Sequence, residues 1–454
     1  MGLLRKISDV HRNLDDKRIS PTGIIVMGYL LIILIGTLIL MLPVSSKSGE
    51  TAGFLTSLFT ATSATCVTGL TVVNTYSHWT LVGQVTIIAL IQCGGLGFMA
   101  FATVFSLVLH RRISLRERLV MTQSFMVNEI SGVVRLAKHI LVRTLIAESI
   151  GAAILAIRFI PRFGVADGLF RSVFHSISAF CNAGFDIMGN GSMIEYAGDP
   201  LVCLTLICLM VFGGLGFFVW EDLREHRSFK RLNLHSKLVI LMTVLLLILG
   251  TALFFVFEYS NAETIGNMGF FEKLLAAFFQ SSTTRTAGFY TIPQNGLTTA
   301  SKLLSSVLMF IGGAPGSTAG GIKTVTLAVM LVTAYCVMRG RADITCFERK
   351  IPLRSIINAI ALTMVALTLI FSSSAAIALL DGKDMADVVY ETASAFSTTG
   401  LSTGITPTLH PISKIILICL MYFGRVGLLT ISLGLLVRNK ISKIGYPEGK
   451  IIIG

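Results

Sequence analysis

Four short clusters decide how this 454-residue chain folds: Thr65-Cys66-Val67-Thr68-Gly69-Leu70, Phe180-Cys181-Asn182-Ala183-Gly184-Phe185, Thr284-Arg285-Thr286-Ala287-Gly288-Phe289 and Phe396-Ser397-Thr398-Thr399-Gly400-Leu401. Each ends in glycine followed by Leu or Phe. Ahead of each lies a mildly apolar segment too short to cross a bilayer: Phe54 to Thr65, Leu169 to Cys181, Phe271 to Thr283 and Val388 to Ser397. Behind each comes a longer apolar stretch with a second glycine cluster: Gly94-Gly95-Leu96-Gly97, Gly213-Gly214-Leu215-Gly216, Gly312-Gly313-Ala314-Pro315-Gly316 and Gly424-Arg425-Val426-Gly427. From first glycine to second cluster the distances are 25, 29, 24 and 24 residues. Order, residue type and spacing recur together, which marks an internal repeat.

Working outward, eight apolar stretches are long enough for about 30 Å of hydrocarbon at 1.5 Å per residue. They lie near 21–42, 80–109, 139–160, 200–220, 238–257, 303–338, 355–380 and 415–437. The chain is 53% hydrophobic and 13% charged. A soluble domain carries roughly a quarter charged residues, so this chain is made for an apolar solvent. The expected fold is an all-α polytopic membrane protein of four span–pore-helix–span repeats around a pseudo-fourfold axis. The repeats run 21–110, 111–221, 222–338 and 339–437, between an N-tail of 1–20 and a C-tail of 438–454.

Non-helical backbone survives at membrane depth only where it lines water or is buried in protein. Four such loops meeting on one axis form a ring of backbone carbonyls, which can replace the hydration shell of a monovalent cation. Glycine suits a loop that must expose successive carbonyls, because the backbone there needs φ values that a Cβ penalises. The short helices aim the negative ends of their dipoles at the same point. The candidate filter residues are Val67, Thr68 and Gly69; Asn182, Ala183 and Gly184; Thr286, Ala287 and Gly288; and Thr398, Thr399 and Gly400. For the second clusters, notably Gly94, Gly95, Gly97, Gly213, Gly214 and Gly216, the favoured reading is close packing of neighbouring helices.

The net charge of +13 is spread in a way that speaks against a nucleic-acid partner. Most Lys and Arg fall in the N-tail, the C-tail and the connections after even-numbered spans, as the positive-inside rule requires. Both termini are therefore expected in the cytoplasm. The first apolar stretch is full-length and lacks a small-residue cleavage motif, so no cleavable leader is expected. Eight cysteines without CxxC spacing read as small buried hydrophobes. The run Gly312 to Thr324 superficially suggests a phosphate loop, but Ile322 separates glycine from Lys323 and no strand precedes it. No catalytic or metal-ligand constellation is present, so neither an enzyme nor a resident cofactor is expected. His175 reads as a hydrogen-bonding strut, and Arg143 and Glu148 as packing or snorkelling groups.

On these residues the chain resembles the Trk/Ktr/HKT superfamily of potassium transporters, and within it the Ktr-type membrane subunit. The resemblance is carried by Thr68-Gly69-Leu70, by His175 through Phe185, by Arg285 through Phe289, by Glu391 through Phe396, and by the ending Tyr446-Pro447-Glu448-Gly449. It implies K+ as the transported ion, a homodimer, and a cytosolic ring of regulatory subunits with Rossmann-like nucleotide-binding domains. It also implies a bacterial inner membrane. In related plant transporters serine at the first filter glycine accompanies sodium transport; Gly69 therefore points to potassium. Cys181 stands where the family pattern leads one to expect Asn or another polar residue.

The resemblance further assigns a gate to Gly312, Gly313, Gly316, Ser317, Thr318, Gly320, Gly321 and Lys323. Five glycines and Pro315 cannot hold a regular helix; a static kink is the other reading. Arg425 replaces the second glycine of its cluster, and charge within a span faces protein or water. Two roles stay open for it: a pore-side barrier, or an ion pair with a carboxylate such as Glu391. Two alternatives to potassium conduction also stay open: a sodium-conducting or sodium-coupled relative, and an alternating-access solute carrier.

Overall fold

The computed structural model describes residues 21–97, 121–122, 133–189, 191–341 and 343–427. Four helices are long and apolar enough to cross a bilayer: α1 (Pro21–Met41), α4 (Val133–Phe163), α8 (Leu234–Glu258) and α12 (Leu353–Asp381). They match the first, third, fifth and seventh expected stretches. Their ends carry standard stop signals. Pro161 and then Gly164, at φ +82°, close α4, and Gly382 caps α12 in the left-handed region, where its missing Cβ costs nothing.

A shorter helix follows each long one: α2 (Phe54–Thr65), α5 (Val165–Phe180), α9 (Phe270–Thr283) and α13 (Met385–Ser397). These are the segments judged too short to span. Each runs into a glycine loop, and a further helix then leads away: α3 (Leu81–Gly95), α6 (Pro200–Gly214), α10 (Thr299–Phe310) and α14 (Pro411–Val426).

The glycines and Pro315 already implied a break in the sixth stretch, and the structure has one; the second, fourth and eighth were drawn as continuous, and the structure interrupts them too. After α6 the chain turns by 92° into α7 (Phe217–His226). After α10 it leaves helical form until α11 (Thr324–Met338). Gly97, Gly216 and Gly427, at equivalent positions of three repeats, have φ of +85°, +89° and +89°. That is backbone an α-helix cannot contain. The second glycine clusters thus both pack and break. The basic tails, most of the connection after α3, the Tyr446–Gly449 ending and the ends of the second and eighth stretches lie outside the described residues.

Packing closes the repeats into a ring. Each third helix touches the short helix of the next repeat: α3 on α5, α6 on α9, α10 on α13, and α14 back on α2. Within repeats 1, 2 and 4, glycines let the third helix approach its own short helix. A Cβ on Gly94, Gly213 or Gly424 would land on the carbonyl of Thr65, Phe180 or Phe396, each in the last turn of a short helix. Carboxylates at the ends of long helices tie the third helices in place. Glu258 accepts from Thr298 N (3.0 Å) and Oγ1 (2.7 Å), and Asp381 from His410 N (2.7 Å). Both satisfy N–H groups that a helix start leaves unpaired. The one described β element is a two-stranded hairpin, β1 (Thr345–Cys346) with β2 (Arg349–Lys350), in the connection between α11 and α12.

Candidate functional site

The four glycine loops meet at one place, in repeat order. A Cβ placed on Gly69 would lie 2.5 Å from the carbonyl oxygen of Ala183, and one on Gly184 2.9 Å from that of Ala287. One on Gly288 would strike the Thr399 carbonyl, and one on Gly400 the Thr68 carbonyl. Each glycine therefore abuts the carbonyl just before the glycine of the next loop, and the fourth closes on the first. No side chain fits in this ring.

Backbone conformation repeats with the same symmetry. The glycines have φ of +91°, +67°, +84° and +89°. Two residues earlier, Val67, Asn182, Thr286 and Thr398 have φ of +58°, +58°, +69° and +54°. For non-glycine residues, and for β-branched Val67, Thr286 and Thr398 above all, this region is rare and costs on the order of 1–3 kcal/mol each. Left-handed residues alternating with ordinary ones turn successive carbonyls to one side, whereas a regular strand would send them to opposite sides. The hydroxyls of Thr68, Thr286 and Thr398 are buried with no hydrogen-bond partner among the described residues. The side chains of Thr286 and Thr398 pack against Gly312 and Gly320 of the 311–323 segment.

A second layer holds the loops in shape. Ser63 Oγ accepts from Gly69 N at 3.1 Å, and Ser394 Oγ from Gly400 N at 3.0 Å. In the second loop Ser178 Oγ donates to Phe185 O at 2.8 Å, and in the third Thr283 Oγ1 donates to Phe289 O. A serine stands six residues before each of the four loop glycines (Ser63, Ser178, Ser282, Ser394), a signal that the sequence reading passed over. Asn182 contributes backbone to the ring; with its amide nitrogen turned inward, its side chain reaches Ala179 O (3.0 Å) and Met210 O (3.2 Å). Cys181 is buried against Gln92 Oε1 (3.4 Å), beside Glu148, whose Oε2 accepts from Gln92 Nε2 (3.1 Å). His175 is a strut: Ile187 N donates to its Nε2 (3.3 Å), which leaves Nδ1–H for Arg171 O (2.7 Å).

The 311–323 segment lies across the underside of this ring. Its neck is zipped by Gly312 N to Ile322 O (2.8 Å) and Thr324 N to Gly313 O (3.0 Å). Its body is stitched to repeat 2 by Ala314 N to Gly214 O (2.9 Å), Thr318 N to Gly213 O (3.2 Å) and Phe217 N to Gly316 O (3.0 Å). Thr318 Oγ1 donates to Phe180 O (3.2 Å), and Gly320 backs onto Thr398. Lys323 Nζ donates to Ala319 O (2.6 Å) within the same segment. At about 0.5–1.5 kcal/mol net per bond, these ties are worth several kcal/mol.

Arg425 is the cross-brace. Its guanidinium donates to Thr318 O in this segment, to Gly94 O (2.5 Å) and to Gly95 O (3.0 Å). It thereby joins repeats 1, 3 and 4. The alternative ion pair with Glu391 is not formed. That carboxylate accepts from Ser402 Oγ (2.5 Å), Thr403 N (3.0 Å) and Thr406 Oγ1 (2.7 Å), a saturated set that holds the loop after Gly400. Arg143 pairs with Glu221 at 2.6 Å. Cys208 and Cys419 are exposed, unlike the buried thiols expected of all eight.

Known proteins resemble this chain in sequence and in fold. The family model described as "TrkH: Cation transport protein" matches residues 4–443. The chain is 40% identical to the potassium/sodium uptake protein NtpJ of Enterococcus hirae, over 96% of this chain and 98% of that protein. It is 38% identical to the Ktr system potassium uptake protein B of Bacillus subtilis, over 96% and 97%. Its fold is similar to the crystal structure of the potassium transporter TrkH from Vibrio parahaemolyticus, with a TM-score of 0.73 at 16% identity, covering 91% of this chain and 84% of that one.

Proposed function

This chain belongs to the TrkH cation transport family, and from that premise we propose that it is the potassium-translocating membrane subunit of a Ktr-type uptake system. The observation that carries the reading is the closed ring of four loops, in which each glycine abuts a carbonyl of the next. Potassium is the cargo. Dehydrated at the ring, it exchanges water for backbone carbonyls of the four loops. Four helix C-termini stabilise the charge. No step needs a resident cofactor or a covalent reaction, so ions move down their electrochemical gradient.

The 311–323 segment is the gate, with Arg425 as its latch. Opening requires breaking several kcal/mol of hydrogen bonds, a cost that a cytosolic nucleotide-binding regulator would meet on docking. Relatives named as parts of a Ktr system support a multi-component assembly. We place a homodimer in the bacterial inner membrane with both termini cytoplasmic. The repeats bounded at 21–110, 111–221, 222–338 and 339–437 then supply eight crossings, four of them by the interrupted third helices.

Potassium-limited growth of an uptake-deficient bacterium tests this. The native chain, given a regulatory partner, should restore growth. Gly288→Asp should not, because its Cβ would crowd Gly184 Cα at 2.8 Å and put a carboxylate in the ring. Equal rescue by both proteins, at equal membrane levels, rules the ring out as the ion path. A sodium-conducting reading is kept because one 40% identical relative carries sodium in its name; sodium uptake surviving in potassium-free medium would favour it.

A further inference from the structure

On the lipid-facing surface, between α4 and the bent pair α6–α7, runs an apolar cavity of about 530 Å³. Ile146, Ile150 and Ile154 of α4 face Cys208 and Phe212 of α6 across it. At the N-terminal end of α4 lies a second cavity of about 650 Å³, bounded by Arg135, Lys138, His139 and Arg224. Arg143 lines both, so the two adjoin. Trp220 lines the apolar cavity, one helical turn before Arg224 in α7, its indole Nε1 donating to Phe212 O at 3.2 Å.

The chemistry of the two parts differs sharply. The long slot offers aliphatic and aromatic walls. The end cavity offers cations: Arg143 is neutralised by Glu221, but Arg135, Lys138 and Arg224 pair with no carboxylate among the described residues. A Trp beside clustered Arg and Lys is typical of the membrane–water interface. An apolar slot ending in unpaired cations at that depth complements one amphiphile, a lipid with an anionic headgroup. A zwitterionic lipid would gain the slot without the charge.

We propose that this composite cavity binds an anionic phospholipid, with an acyl chain along α4 and α6 and the headgroup phosphate on Arg135, Lys138 and Arg224. The inference rests on the membrane-embedded transporter reading above. Its position has a structural consequence. Phe180 and Phe217 line the slot, and their backbones bond the 311–323 segment through Thr318 Oγ1 and Gly316 O. The lipid would sit one residue away from the proposed gate.

The test uses the full-length protein in nanodiscs of phosphatidylcholine with increasing phosphatidylglycerol. Alkylation of Cys208, inside the slot, is followed by peptide mass spectrometry, with exposed Cys419 as internal reference. Phosphatidylglycerol should slow Cys208 several-fold and leave Cys419 unchanged. In R135Q/K138Q/R224Q, whose three side chains are exposed, the half-protecting lipid fraction should rise steeply. At about fivefold per charge, the combined weakening is on the order of a hundredfold. Equal protection by both lipids, or unaltered protection in the triple variant, overturns the site. So does protection that follows protein density instead of lipid composition, which would put a second copy of the chain over the slot. The readout needs no ion flux, so its failure leaves the potassium reading intact. Failure of potassium rescue likewise leaves the lipid site standing.

Discussion

Gly69→Ser probes the ring most directly, because two effects of the side chain can be separated. Gly69 sits at φ +91°, so any side chain costs about 1–2 kcal/mol of backbone strain. The new Cβ would also lie 2.5 Å from Ala183 O and 2.9 Å from Gly184 Cα. Ordinary C···O contacts are about 3.3 Å or longer, so the neighbouring carbonyl must retreat by nearly 1 Å. Gly404 is the matched control: at φ +94° it pays the same strain, yet nothing lies within 4 Å of its Cβ position. Gly404→Ser should therefore lower stability slightly and leave ion preference alone. Gly69→Ser should displace one ligand of the ring. A loss of about 1.4 kcal/mol in potassium over sodium discrimination corresponds to about a tenfold fall in preference. The assay is competition of sodium against potassium uptake in proteoliposomes, at matched protein incorporation. A preference unchanged within about twofold, or an equal loss in Gly404→Ser, would show that the ring of carbonyls does not select the ion.

Three further outcomes follow from the same geometry. Ser394→Ala leaves the buried Gly400 N–H without its 3.0 Å acceptor and should cost about 1–3 kcal/mol, read as a lower melting temperature and weaker potassium affinity; an unchanged affinity would detach the serine from filter support. Arg425→Gln removes the bonds to Thr318, Gly94 and Gly95 and should raise potassium uptake in the absence of the regulator. Arg425→Lys should behave similarly, since a single ammonium cannot span these carbonyls; native-like basal flux in both would dismiss the latch. Glu258→Ala strips the acceptor shared by Thr298 N and Oγ1, Thr264 Oγ1 (2.6 Å) and Asn261 Nδ2 (2.7 Å). A loss of about 3 kcal/mol is expected by thermal denaturation in detergent; a shift too small to resolve would mean that water replaces the carboxylate.

Much of this was legible beforehand because it is local. Apolar runs, the short segments ahead of each glycine, and the glycines themselves are properties of neighbouring residues, and the helices α1, α4, α8 and α12 lie where the runs placed them. The break in the third repeat was legible from its glycines and Pro315, but continuity of the other three third helices was misjudged, since Gly97, Gly216 and Gly427 look like ordinary packing glycines until their φ values are known. Gly94 and Gly216 are both glycines in an apolar run; one faces the Thr65 carbonyl, the other the Pro315 carbonyl (2.8 Å). Ser63 and Ser394 could have been found from their constant offset of six residues, but hydroxyls are common in such segments and the offset alone does not say what they hold.

By itself the sequence determined four long apolar helices and, after each, a short segment ending in a glycine loop, because hydrophobic length and the missing Cβ are written residue by residue. Only the tertiary structure decided which loop abuts which, why Val67, Thr286 and Thr398 tolerate left-handed backbone, and that Arg425 reaches carbonyls instead of Glu391. These are agreements between distant parts of the chain; Arg425 and Gly94 stand 331 residues apart. A strained φ or a buried charge persists only when the surrounding packing compensates it, and that compensation exists only once the ring has closed.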